Sequence, residues 1–256
     1  MSLLLKSVDD NGVATLTLNR SEARNALSMD MRYALTDAFN AMSTDDAVHC
    51  VVLSGGKKFF AAGADIKEMV ASTPVDIILR EIERHWQVIA KFPKPLISAV
   101  NGYALGGGFE LAMHADIIIA GESAQFACPE VRLGLIPGGG GTQRLVRAAG
   151  KAQAMRYLLT GDFIPAQQAC DLGIISDVVP DEKVLESAHT LAQRIAALPP
   201  IAVRQIKEVT LAGVEAPLDV GLALERRGTQ LMFATEDFQE GANAFLEKRP
   251  PEFKGR

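Results

Sequence analysis

The chain has 256 residues, 48% hydrophobic and 22% charged, which suits one large domain or a domain with a small appendage, with a core of useful size. Its 31 acidic and 26 basic side chains leave a net charge of −5, which disfavours nucleic acid as the main partner because neutralising phosphates takes a basic face. The cysteines Cys50, Cys128 and Cys170 form no CxxC pair, which argues against a disulfide framework or a metal site and for a reducing compartment, a cytoplasm.

The opening MSLLLKSVDDNG reads as neither a signal peptide nor an Arg-rich transit segment. No stretch approaches the roughly 20 apolar residues of a membrane span. VATLTL, from Val13 to Leu18, alternates as a half-buried strand does. Ser28 is placed to cap a helix through MDMRYALTDAFNAM. CVVL, Cys50 to Leu53, predicts a short buried strand, ended by Ser54, Gly55 and Gly56. Helical periodicity runs from Val75 to Phe92 and stops at Pro93 and Pro95. LISAV, Leu96 to Val100, predicts another strand; Asn101-Gly102 turns the chain, and a glycine cluster opens a helix from Gly107 to Ala115. DIIIA, Asp116 to Ala120, predicts a further buried strand. The second half reads as helices: Thr142 to Ala149 and Lys151 to Thr160 broken at Gly150, then Gln167 to Leu172, Lys183 to Leu198, Ala202 to Leu211, Ala216 to Ala234 and Glu236 to Lys248. The order implies an α/β core, residues 1–198, with a helical C-terminal region, residues 199–256. A strand–strand–helix rhythm is compatible with a degenerate repeat.

Three consecutive glycines lie in NGYALGGGFELAMHAD, between a strand and a helix. Glycine there lets a ligand approach the backbone, where first-turn N–H groups lack intrahelical partners and the dipole is positive. Taken alone, the glycines serve close strand–helix packing equally well. GxGxxG is not met, because Glu110 stands two positions after Gly108, and no GxxxxGK[ST] occurs. FFAAGADIKEM, after the CVVL strand, exposes a second open backbone, so the Ala64 N–H is a candidate second donor to an oxyanion. Two carboxylates adjoin these turns: Glu110 in the first turn after the glycines, and Glu130 in a loop after QFAC. Most glutamates are surface residues, but two at one site push their pKa values apart, which suits acid and base roles. The four histidines are scattered, and no Ser or Cys has an evident paired base.

FFAAGADIKEM, NGYALGGGFELA and PEVRLGLIPGGGGTQRL together resemble the enoyl-CoA hydratase (crotonase) family in order and spacing, from TLNRSEARNALS to AFLEKRPPEFKGR. The resemblance implies a crotonase fold: a spiral of strand–strand–helix repeats and a helical C-terminal region that makes trimer contacts, with trimers pairing into hexamers. It implies addition of water to a trans-2-enoyl-CoA without metal or cofactor, coenzyme A entering as part of the substrate. Carried over by residue, the oxyanion donors are the N–H groups of Ala64 and Gly107, the two glutamates are Glu110 and Glu130, and Gly138 helps hold the water. Asp65, Ile66 and Lys67 line the CoA and thioester site, Ala26 makes a backbone contact near the adenine, and Phe245 and Lys248 reach the nucleotide, often in a neighbouring subunit. Cys128 departs from the glutamine of some hydratases. GYALG and PEFKGR resemble bacterial hydratases of phenylacetate breakdown, which act on 2,3-dehydroadipyl-CoA. Isomerisation is the rival chemistry, and RNA binding, known in some members, is disfavoured by the charge.

Overall fold

The computed structural model, which describes residues 2–256, begins with an antiparallel pair, Leu4–Val8 (β1) against Val13–Leu18 (β2). Ser28 then caps Met29–Thr44 (α1), its hydroxyl oxygen accepting from the Met31 N–H. Three similar turns of chain follow. Cys50–Ser54 (β3) leads to Phe59–Ala61 (β4) and the helices Ile66–Val70 (α2), Pro74–Leu79 (α3) and Ile82–Ala90 (α4). Leu96–Val100 (β5) leads to Tyr103–Leu105 (β6) and Gly107–Ala112 (α5). Ile117–Gly121 (β7) leads to Gln125–Ala127 (β8) and, after a 3-10 turn at Pro129–Leu133, to Gly141–Thr160 (α6). The chain continues with Ile164–Pro165 (β9), Ala166–Asp171 (α7), Asp177–Val179 (β10), Val184–Ala196 (α8), Pro200–Val214 (α9), Leu218–Met232 (α10) and Glu236–Glu247 (α11).

The first strands of the three turns, β3, β5 and β7, are parallel neighbours in a six-stranded sheet of order β1-β2-β3-β5-β7-β10. The second strands, β4, β6 and β8, are parallel neighbours in a four-stranded sheet that β9 ends. Each turn therefore advances one strand along both sheets, so the rhythm in the sequence is a spiral of strand–strand–helix repeats.

CVVL is apolar throughout because both faces of its sheet are covered. Cys50 and Val52, with Ile97, Ala99 and Ile119, pack on Val184, Ala188, Ala192 and Ala196 of α8. Small residues at every fourth position let that helix lie close to the sheet. Val51 and Leu53 face the other way, into the main core with Leu96, Val100, Phe39, Phe60 and Phe109.

Two expectations are corrected. The helix foreseen from Val75 to Phe92 is broken: Glu81 takes a left-handed conformation, φ 44°, which interrupts the hydrogen-bond ladder between α3 and α4. The helix foreseen to Ala115 ends at Ala112. Gly150, at φ 74° and ψ 162°, breaks α6 where its position implied. The boundary drawn at 198/199 falls between α8 and α9, and Lys207 of α9 ties back to the sheet region by donating to Asp116 at 2.7 Å and to the Lys94 carbonyl at 2.8 Å.

Candidate active site

The site forms where the second turn of the spiral meets its neighbours. Gly106 has φ 51° and ψ −126°, a conformation that favours glycine, and a Cβ there would lie 2.6 Å from Glu130 Oε1. Gly108 is constrained differently: a Cβ would collide with the Ala61 carbonyl, so α5 lies directly on β4. The consequence is a bare backbone at Gly107.

Two peptide N–H groups converge there. The Gly63 carbonyl accepts from the Leu27 N–H at 2.7 Å; since a trans peptide directs its C=O and N–H oppositely, the Ala64 N–H is turned away from Leu27. The Gly106 carbonyl accepts from the Glu110 N–H at 2.9 Å, which by the same logic directs the Gly107 N–H out of the helix start. A Cβ on Gly107 would lie 3.7 Å from Ala64 N, so the two donors border the same space. Among the described residues neither N–H has a protein acceptor. Such a pair serves an oxygen that gains negative charge.

Glu110 projects from the first turn of α5 and is 2% exposed. Its Oε1 accepts from the Gly139 N–H at 2.7 Å and the Gly141 N–H at 2.8 Å, which positions the carboxylate and leaves Oε2 toward the cavity. Burial pushes its pKa up, while those N–H groups, the Arg32 charge and Gly138 oppose the rise. Glu130 stands on the 3-10 turn after Cys128, and its Oε2 is buried without a partner among the described residues. Burial pushes its pKa up to about 7, and the Glu110 charge adds to the rise. One carboxylate is thus held by N–H donors and the other stands almost bare, the asymmetry that separates a base from an acid.

Both face a cavity of about 400 Å³. Ala64, Asp65, Ile66, Gly107, Gly138, Glu110 and Glu130 all line it, so seven of the residues named from the sequence come together. Four do not. Lys67 is exposed and outside the wall. Ala26 is buried behind Leu27, its carbonyl accepting from Arg20 Nη1 at 3.2 Å. Phe245, 82% exposed, and Lys248, which ends α11, lie apart from the glutamates in a single chain. Asp65 caps α2 and pairs with Arg20 at 2.7 Å, so its role in the wall includes holding the Ala64 loop.

Known proteins resemble this chain over nearly its whole length. The family model described as enoyl-CoA hydratase/isomerase matches residues 9–256. The chain belongs to that family. It is 46% identical over 244 residues to a 2,3-dehydroadipyl-CoA hydratase of Escherichia coli (strain K12), covering 95% of this chain and 96% of that one. It is also 46% identical to a mitochondrial enoyl-CoA hydratase of Pongo abelii, covering 96% of this chain and 84% of the relative. The crystal structure of an enoyl-CoA hydratase from Bacillus anthracis superposes with a TM-score of 0.96 at 35% identity, over 100% of both chains. The spiral is therefore the crotonase fold.

Within this candidate site, four contributors carried no separable signal in the sequence. Gly139 and Gly141, which hold Glu110, were hidden in a run of four glycines. Trp86 walls the cavity, stacked at 5.1 Å on His114, whose imidazole burial pushes down to about 4 and keeps neutral. Arg32 also lines the cavity, from the edge of the buried face of α1.

Proposed function

We propose that this protein hydrates trans-2-enoyl-CoA thioesters to 3-hydroxyacyl-CoA. The observation that carries the reading is the placement of two unlike carboxylates and two unsatisfied N–H donors on one cavity. The thioester oxygen lies between the Ala64 and Gly107 N–H groups. A water is held between Glu110 and Glu130, with the Gly138 N–H beside it. Glu110 takes a proton as the water oxygen bonds to C3. The C2–C3 π electrons move toward the thioester, and the enolate oxygen is stabilised by both N–H groups. Glu130, protonated to a useful fraction near neutrality because burial raises its pKa to about 7, delivers a proton to C2. Proton exchange between the glutamates restores the start. The step uses no metal or redox cofactor.

The reading extends to substrate, assembly and setting. A short dicarboxylic enoyl-CoA, as in the E. coli relative's name, is the proposed acyl class. Asp65, Ile66 and Lys67 serve the CoA and thioester site, Ala26 makes a backbone contact near the adenine, and Phe245 and Lys248 reach the nucleotide across a subunit boundary. A homotrimer or dimer of trimers is supported by exposed Leu218, Leu231, Phe233, Phe245 and Leu246 on the last helices, which call for cover. Free Cys50, Cys128 and Cys170 support a cytoplasmic setting, and among the described residues no helix is long and apolar enough to cross a membrane.

Incubation with trans-2-enoyl-CoA and with trans-3-enoyl-CoA, followed by mass analysis, tests the activity. Gain of one water on the former supports hydration. Conversion of the 3-enoyl thioester without water gain on either substrate transfers the assignment to isomerisation.

A further inference from the structure

Arg32 makes no contact that the hydration chemistry above uses, although its charge helps to keep Glu110 ionised. It stands on α1 beside Met31 and Leu35 and is only 8% exposed. Its guanidinium lies over the Trp86 ring, 5.0 Å from the centroid. A cation held over a ring face still has its N–H groups to offer. Among the described residues the guanidinium has no ion-pair partner and donates no hydrogen bond to the protein, although it lines the catalytic cavity. Its Nη2 would lie 3.9 Å from a Cβ on Gly107, which puts the charge inside the cavity, beside the residue that carries one of the two free N–H donors.

The carboxylates nearby are already engaged. Glu110 takes the Gly139 and Gly141 N–H groups, Glu68 accepts from the Met29 N–H at 3.1 Å, and Asp65 is paired with Arg20. Glu83 and Arg80 also border the cavity, and neither pairs with Arg32. Burial lowers the Arg32 pKa to about 10, against the pull of Glu110 and Glu68, so the group stays cationic at neutral pH. The cavity also has apolar wall, from Leu27, Met69, Ile77, Ile82 and Trp86. A buried cation with a free donor fork, in a cavity that also has hydrocarbon walls, suits a carboxylate on the end of an alkyl chain, because the fork donates to both carboxylate oxygens.

We infer that Arg32 is a specificity-determining residue, which binds a carboxylate at the far end of the acyl chain and selects dicarboxylic over neutral enoyl-CoA substrates. The inference rests on the hydratase reading for the placement of the thioester, but its test does not depend on turnover. Saturated adipyl-CoA and hexanoyl-CoA cannot be hydrated, so calorimetric titration reads recognition alone. Wild type should bind adipyl-CoA the more tightly. Arg32→Met, similar in bulk, should weaken adipyl-CoA about tenfold or more and leave hexanoyl-CoA within about twofold. Arg32→Lys, a point charge without the fork, should fall between them and guards against misfolding of the methionine variant. The kcat/KM values of the matching trans-2-enoyl thioesters should show the same split. Equal binding of the two ligands by wild type overturns the inference. So does an equal loss on both thioesters in Arg32→Met, which would mean that the charge acts on the enolate or on Glu110. If neither enoyl thioester is hydrated but the calorimetric split holds, the hydratase reading fails and the anion site stands.

Discussion

Glu130 ties stability and activity to pH in one residue. Its pKa is about 7 in the folded chain against an ordinary 4.5, so the folded state holds that proton the more tightly. The stabilisation this gives is fully present below the unfolded value and is lost as pH rises from 4.5 through 7. At about 1.4 kcal/mol per pH unit the loss comes to roughly 3.5 kcal/mol, and solvent screening at this incompletely buried residue reduces it to about 2 kcal/mol. Glu130→Gln carries no charge at any pH. The variant should therefore gain on wild type as pH rises, by several degrees of melting temperature between about pH 5 and pH 8. Melting followed across that range for both proteins measures the divergence. In wild type, kcat/KM for a trans-2-enoyl-CoA should fall above a pKa near 7 as the acid is lost, and Glu130→Gln should lack that limb. Parallel melting curves, together with a wild-type rate that holds level well above neutrality, would refute the assignment of Glu130 as the buried acid.

Other outcomes follow from the same geometry. Gly106→Ala sets a methyl 2.6 Å from Glu130 Oε1 on a backbone at φ 51°; it should destabilise the fold by about 1–3 kcal/mol and, by displacing the acid, cut turnover about 10²-fold, as read by melting and steady-state rates. Lys248→Ala should weaken an acyl-CoA substrate and spare the matching acyl-pantetheine, so a comparison of KM on the two checks the proposed nucleotide contact.

The legibility of this chain in its sequence was uneven for physical reasons. Apolar runs such as CVVL and LISAV announced the first strand of each turn because both their faces are buried. The second strands, FFA, YAL and QFA, span only three residues each, too few to display an alternation. The break between α3 and α4 was invisible because Glu81, not a glycine or proline, takes the left-handed conformation. At the site, Glu110 and Glu130 were identifiable beside their glycine turns, and the family resemblance assigned their roles. Arg32 was not legible, because on α1 it borders the buried face and only its neighbour Trp86, far along the chain, shows where its charge lies.

The claim that one water is shared by two glutamates is tested most directly by the rates of Glu110→Gln, Glu130→Gln and the double variant, followed by loss of the enoyl thioester absorbance. Each single variant should lose at least about 10²-fold in kcat, with acyl-CoA binding kept. Since both groups serve the same water, the double variant should be little slower than the slower single one. Wild-type hydration by Glu110→Gln, or losses that multiply in the double variant, would contradict the shared-water mechanism.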